Sequence, residues 1–394
     1  MDLKEYYVQS RRGTNSMKWD ALESKFSSSD LLPLWVADMD FRAPDCVRDA
    51  LRKTVDYGVF GYFMPPASYK QAFIDWEKKY HGLSVEPEWI KFAPGIVTGI
   101  FWLVHTLTKA GDACMVLTPS YYPFMEAVEH IGRRLVTSCL NNNNGYYSID
   151  FDDFERKLRD ENVRLFLLCS PHNPCGRVWT EEELRRMAEI CSRHNVFVVA
   201  DEIHCEVVMP GNRFVPYSSL GADFMRSACI CTSASKAFNI AGLQNAQIVC
   251  ADADTRRKID RAVNIHEICD VNPFGIVATE AAYTAAGAEW IDALCRYIWT
   301  NYETACTYLH ENLPQLEPCR PEGSYLMWVD VSALGLGVEE LCSRLRAEQH
   351  VWFAPGTGYG TGGEGYIRIN LATQRQNVTQ ALERLTAFVK KLHA

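Results

Sequence analysis

The stretch "NVFVVADEIHCE", Asn195 to Glu206, decides the fold. Its first half is apolar at nearly every position rather than at alternate ones, and it stops on an acid, Asp201. A strand apolar throughout is covered on both faces, as in a parallel sheet flanked by helices. Five more runs between residues 90 and 252 read the same way: "CMVLTP", "RRLVTSC", "VRLFLLCS", "ACICTS" and "QIVCAD". Helical patterns separate them, so the spacing predicts an α/β fold with a mostly parallel sheet and helices on both faces. One of those helices is well marked. Thr180 and Glu183 form a capping box, and Leu184, Met187, Ala188 and Cys191 follow on one face.

Beyond residue 285 the texture changes to a long helical stretch, then "SYLMWVDV", "VWFAP" and "GYIRINLA" as strands, then a closing helix. In that helix Val378, Leu382, Leu385 and Val389 recur at helical spacing behind Asn377 as a candidate cap. These features predict a large domain over 46–285 and a smaller α+β domain built from 1–45 and 286–394. The run "NNNNG" at 141–145 reads as a turn.

The composition narrows the function. The chain has 394 residues, 47% of them apolar, and a formal charge of −9, with no basic run. That argues against a nucleic-acid surface and for small-molecule partners. No apolar run reaches membrane-spanning length, and "MDLKEYYVQSRRG" lacks the apolar core of a signal peptide, so a cytoplasmic protein is expected. The fifteen cysteines show no C-x-x-C and sit mostly in apolar runs. They read as small buried hydrophobes in a reducing compartment, not as metal ligands or a disulfide framework.

Chemistry enters with "ACICTSASKAFNIAGL", Ala228 to Leu243. A lysine walled in by small residues after an apolar strand needs a reason, because burying its charge is costly. Burial also lowers its proton affinity and makes it a nucleophile able to form a Schiff base. Asp201 ends an earlier strand, at the sheet edge where open α/β sheets bind ligands. Alone it reads equally as a cap or a structural ion pair. With Lys236 it matches what a pyridine cofactor acting as an electron sink needs: a carboxylate at the ring nitrogen and a lysine at the aldehyde, as in pyridoxal phosphate (PLP).

Other stretches fit around that pair, each with a plainer reading beside it. "FAPGIVTGIF", Phe92 to Phe101, offers a strand, a glycine turn and a helix whose free N–H groups and Thr98 hydroxyl suit an anion, or is a simple β–α junction. Ser233 can add a hydroxyl. Tyr121 and Tyr122 follow another strand, where a ring can stack on a flat cofactor or pack in the core. Asn173, in the Pro-rich "CSPHNPCGRVW", can present its amide to a phenolic oxygen or serve the turn. Arg368 is the sole charge in "YIRINLA", and a substrate carboxylate is one way to pair it. Two motifs mislead. "GYGTGG", Gly358 to Gly363, is followed by a strand rather than a helix, so the dinucleotide reading fails. Ser233 and Lys236 spell the S-x-x-K of penicillin-binding proteins, but the partner strings S-D-N and K-T-G are missing.

"SPHNPCGRVW", "ADEIH", "SASKAFNIAGL" and "YIRINLA", in this order, resemble the fold-type I PLP enzymes of the class I/II aminotransferase group. "PLWVADMDF", "GYF", "TPSYYPF" and "DEIH" resemble its cystathionine β-lyase branch, including cystalysin-like C–S lyases. The resemblance spans nearly the whole chain. It implies a PLP-dependent transferase-like fold, with Lys236 carrying PLP, Asp201 at the ring nitrogen, Asn173 at the phenolic oxygen and Tyr121 stacked on the ring. Val97, Thr98 and Ser233 would bind the phosphate, and Tyr62 the phosphate of a neighbouring subunit, giving a homodimer with shared active sites. Arg368, with the backbone near Ala37 and with Tyr122, would bind the substrate. Two departures stand out. Gln244 sits where many aminotransferases have a phosphate-binding arginine, and His204 where many have a tyrosine near the phenolic oxygen. The "TQRQN" segment also lacks the "CPR" of several β-lyases. The expected activity is β-elimination from cystathionine, cysteine or related S-substituted cysteines to thiol, pyruvate and ammonia. An aminotransferase, or a non-catalytic regulator on the same fold, are the alternatives.

Overall fold

The structure, a computed structural model, describes residues 1–8, 10–26, 28, 30–265 and 271–392. Seven strands form the main sheet: β1 (Ile90–Ala93), β2 (Ala113–Thr118), β3 (Arg134–Cys139), β4 (Val163–Cys169), β5 (Phe197–Asp201), β6 (Ala228–Thr232) and β7 (Ala246–Val249). Their order across the sheet is β1-β7-β6-β5-β4-β2-β3. β7 alone runs antiparallel to its neighbours.

The two-sided burial inferred from the sequence has a simple origin. Successive side chains of a strand point to opposite faces. Met115, Leu117, Phe166, Leu168, Val198, Ala200 and Ile230 therefore join one apolar core, and Cys114, Val116, Leu165, Leu167, Val199, Cys229 and Cys231 join another on the far side. The helix Glu181–Arg193 covers the first face with Leu184, Met187 and Cys191, and its Thr180–Glu183 capping box is formed. The helices Ile96–Leu107 and Tyr122–His130 cover the second with Ile100, Leu103, Phe124 and Val128. Of the fourteen described cysteines eleven are buried and Cys46, Cys139 and Cys306 are partly so, and all fourteen are unbridged.

A second, antiparallel sheet combines Glu317–Pro318, Leu326–Asp330, Tyr366–Asn370 and Ala354–Pro355. The helices Ala285–Asn312 and Arg375–Leu392 pack on each other and share one apolar core with it. Leu32–Pro33 pairs with Val351–Trp352, which ties the N-terminal segment to this unit. "GYGTGG" is the β–β connection expected of it. Two details differ from the sequence reading. "NNNNG" is more than a turn: Asn141–Asn143 and Tyr146–Ser148 form a hairpin closed by Asn144 and Gly145, at φ 52° and 82°. Such a two-residue turn favours Asn-Gly because both residues need positive φ. The closing helix begins at Arg375, so Asn377 lies inside it, bonded to the Thr373 hydroxyl at 2.8 Å. Among the described residues no helix is long and apolar enough to cross a membrane.

Candidate active site

A cavity of about 190 Å³ opens at the C-terminal ends of the parallel strands, where β5, β6 and the loop after β4 converge. Lys236, Asp201, Asn173, His204, Tyr121, Val97, Thr98 and Ala37 all line it. Asp201 ends β5 on the face covered by the helix Ile96–Leu107, because Val199, two residues before it, belongs to that core.

Lys236 Nζ donates to the Ala37 carbonyl at 2.6 Å. Burial, reinforced by the Arg368 guanidinium, lowers its ammonium to about 8 against the pull of Asp38 and Asp201. The residual exposure of Lys236 is to the cavity. Asp201 is buried and accepts from the Ile203 amide at 3.0 Å, yet burial raises its carboxyl to about 7. An acid and an amine, each displaced toward neutrality by the same cavity, mark a site built for chemistry. His204 is held neutral, down at about 3, by burial and then by Lys236 and Arg368, and its Nδ1 has no partner.

Neighbouring segments fix these groups. Asn370 Nδ2 donates to the Val36 and Asp38 carbonyls, and Asn239 Nδ2 to those of Met39 and Phe41. Together they hold the backbone that aims Ala37 at the lysine. The Asn173 loop is held by His172 Nε2 on the Pro119 carbonyl at 2.8 Å and by buried Arg177, which pairs with Glu322 and Glu183. Arg368 is 4% exposed, and among the described residues no carboxylate pairs with it. Nη1 donates to Asn173 Oδ1 at 3.0 Å and Nη2 to the Trp35 carbonyl at 2.7 Å, while Nε is buried without a partner. A buried guanidinium with only neutral acceptors suits an incoming carboxylate.

Three further expected residues lie off the cavity wall. Ser233 donates to the Asn245 carbonyl at 2.6 Å and accepts from the Ser235 amide, and it is Ser235 that lines the cavity. Tyr122 opens its helix half exposed, its ring 5.3 Å from that of Tyr121. Tyr62 is fully exposed. Gln244 is exposed too, but Asn245 beside it lines the cavity, and its buried Nδ2 has no partner. The sequence reading passed over Ser235 and Asn245.

Residues 29–385 match the family model for aminotransferase class I and II. The chain belongs to that family. Cystathionine β-lyase PatB of Bacillus subtilis (strain 168) is 41% identical over 379 residues, 96% of this chain and 98% of PatB. Among solved structures, a PLP-bound protein from Clostridium difficile 630, described as a "putative aminotransferase", superposes with a TM-score of 0.94 at 40% identity. It covers 97% of this chain and 98% of that one. Cystalysin from Treponema denticola, which contains pyridoxal 5'-phosphate, gives 0.93 at 32% identity over 98% of this chain and 99% of its own.

The site has a pH signature of its own. With the amine near 8, about a tenth of it is unprotonated at pH 7, hundreds of times more than for an ordinary lysine. Loading of apoprotein with an aldehyde at this lysine should accelerate about tenfold per pH unit up to pH 8 and then level off. Stopped-flow absorbance checks this, and a plateau delayed to pH 10 or above contradicts the lowered amine.

Proposed function

We propose that this protein is a PLP-dependent C–S β-lyase acting on cystathionine, cysteine and related S-substituted cysteines. One observation carries the reading: Lys236 and Asp201 share a single cavity, with Arg368 buried beside it and lacking a carboxylate. The relatives named as cystathionine β-lyase and cystalysin support the reaction type.

The residues present fit the cofactor. Asn245 Nδ2, on the cavity wall, is buried without a partner, and a phosphate oxygen is a counterpart for it. Asp201 would face the ring nitrogen and Asn173 the phenolic oxygen. Tyr121 would cover the ring. The first-turn amides of Val97 and Thr98 have no partners within their helix, and with the Thr98 and Ser235 hydroxyls and Asn245 Nδ2 they would hold the phosphate. Ser233 fixes that loop, and would have to turn from Asn245 to touch the phosphate itself. When bound, PLP supplies an electron-accepting ring for a carbanion at the substrate α-carbon.

This chain's residues do the rest. Arg368 orients the substrate carboxylate, with Asn173 and the Trp35–Ala37 backbone framing it. The Lys236 amine, close to neutral pH, takes the proton from the α-carbon. Asp201, ionised when a pyridinium N–H faces it, keeps the ring cationic. The β-carbon–sulfur bond then breaks with its electron pair going to sulfur, which leaves as thiolate and takes up a proton. The overall change is substrate plus water to thiol, pyruvate and ammonia, with no net oxidation. Cystathionine incubated with the loaded enzyme and no keto acid should therefore give pyruvate over many turnovers. A single turnover ending in the pyridoxamine form of the cofactor would instead favour transamination.

The exposed run of Val59, Phe60, Tyr62 and Met64 supports a homodimer in which Tyr62 reaches the partner's phosphate. The division into 46–285 and 1–45 with 286–394 accords with the pairing of Leu32–Pro33 to Val351–Trp352. Fourteen unbridged cysteines accord with the cytoplasm. Replacing Arg368 by lysine keeps the charge but loses the fork. We expect KM for cystathionine to rise roughly 10- to 100-fold with a much smaller change in kcat. Steady-state kinetics checks this, and an unchanged KM would remove Arg368 from substrate binding.

A further inference from the structure

A second and larger cavity, about 530 Å³, lies on the other face of the main sheet. Alternation places it there. Asp201 faces the core around the helix Ile96–Leu107, and the next residue, Glu202, faces the opposite way with Ile230 and Val249 of the other core. The volume falls in the range of small-molecule sites, roughly 300–1,000 Å³. Its walls are largely apolar, with Phe73, Trp89, Phe214 and Met225 among them.

Three acids, Glu77, Glu202 and Asp252, and two basic residues, His81 and Arg226, interrupt that apolar wall, and of the acids Glu77 and Glu202 are the buried ones. Glu202 is 4% exposed and accepts one hydrogen bond, from the Tyr217 amide at 2.7 Å. Glu77 is 7% exposed, and its carboxyl receives no hydrogen bond from any described residue. The cation closest at hand is already engaged: His81 Nε2 lies 2.9 Å from Glu206 Oε1, which also accepts the Trp76 indole N–H at 2.6 Å. At the rim, Arg226 pairs with Asp223, and the Asp252 carboxylate accepts from the Thr255 amide. Burial raises Glu77 to about 7 and Glu202 to about 8. Both carboxylates face the cavity with few protein donors, so an occupant of the cavity can meet them.

We propose that this cavity is a second ligand site, and that it takes a small organic cation: an amidinium, guanidinium or ammonium on an aromatic or branched aliphatic body. The cation meets Glu77 and Glu202, and the body fills the apolar remainder. A metal ion is the competing occupant, since His81 Nε2, Cys205 Sγ and Glu206 Oε1 lie within 4.8 Å of one another. The Trp76 N–H on that same Glu206 oxygen, and a Cys205 thiol kept protonated by burial, stand against it.

Benzamidine is the probe, applied to cofactor-loaded protein, with benzyl alcohol and benzoate as neutral and anionic counterparts. Calorimetry should show one benzamidine per chain, bound at least tenfold tighter than either counterpart, and a soaked crystal should show it in this cavity. The cation draws a proton off Glu77 or Glu202, so binding at pH 7 should release protons, seen as heat that varies with the buffer's ionisation enthalpy. Glu77→Gln, once its melting temperature shows it folded, should weaken benzamidine tenfold or more. Met225→Trp, which fills the cavity and leaves both acids in place, should abolish binding. Equal affinity for benzyl alcohol, binding untouched by Met225→Trp, or Zn²⁺ alone binding here where benzamidine does not, would overturn the proposal.

Discussion

Lys236→Ala should lower pyruvate formation from cystathionine by at least about a thousandfold, the largest loss of any single substitution in the site. The size follows from its two roles. In the proposed reading Lys236 would hold the cofactor, and its amine would take the α-proton. Alanine removes both. The variant should still fold, because the lysine makes one hydrogen bond, to the Ala37 carbonyl, and its cavity setting already disfavours its charge. The decisive comparison pairs turnover with a melting curve: activity near background in a protein melting close to the wild type. A Lys236→Ala enzyme retaining a tenth of its turnover would remove the lysine from the chemistry.

Asp201→Asn comes second, with an expected loss of roughly a hundred- to a thousandfold in kcat. Asparagine keeps the shape and an acceptor but gives up the charge that, in the proposed reading, would keep a ring nitrogen protonated. Stability should move the other way. In cofactor-free protein the Asp201 carboxyl is raised by burial to about 7, so ionising it is unfavourable in the folded state. Its contribution is fully present below the unfolded-state value near 4 and is lost as pH rises toward 7. The uncharged amide escapes that loss, and apoprotein of the variant should melt at or above the wild-type temperature at pH 8. Glutamate at the same position should recover part of the turnover if charge is what matters. A variant crippled in activity and equally destabilised as apoprotein would make Asp201 a structural residue.

These two residues stood out in the sequence because Asp201 ends β5 and Lys236 follows the end of β6 by four residues, and both strands announce themselves by nearly unbroken apolar runs. Arg368 stood out for a related reason, as the one charge in the apolar strand Tyr366–Asn370. Position along a loop was harder. Ser233 and Ser235 are two residues apart, and which of them faces the cavity depends on the Asn245 carbonyl, twelve residues downstream. Asn245 itself is oriented by Tyr69 and Thr279, contacts no local pattern encodes. The hairpin at 141–148 escaped because its first strand, Asn141–Asn143, is polar and exposed, although Asn144-Gly145 carried the turn signal. The second cavity draws its wall from residues 73–89, 202–232 and 249–253, so no single stretch hints at it.

The claim beneath all of this is that one lysine amine meets the aldehyde of a cofactor across from a buried carboxylate. Borohydride reduction of the loaded protein, followed by tryptic digestion and mass spectrometry, tests it most directly. The cofactor should be found fixed to Lys236, in a peptide running uncleaved from Ser227 to Arg256. Label on another lysine, or none after full loading, would contradict the account.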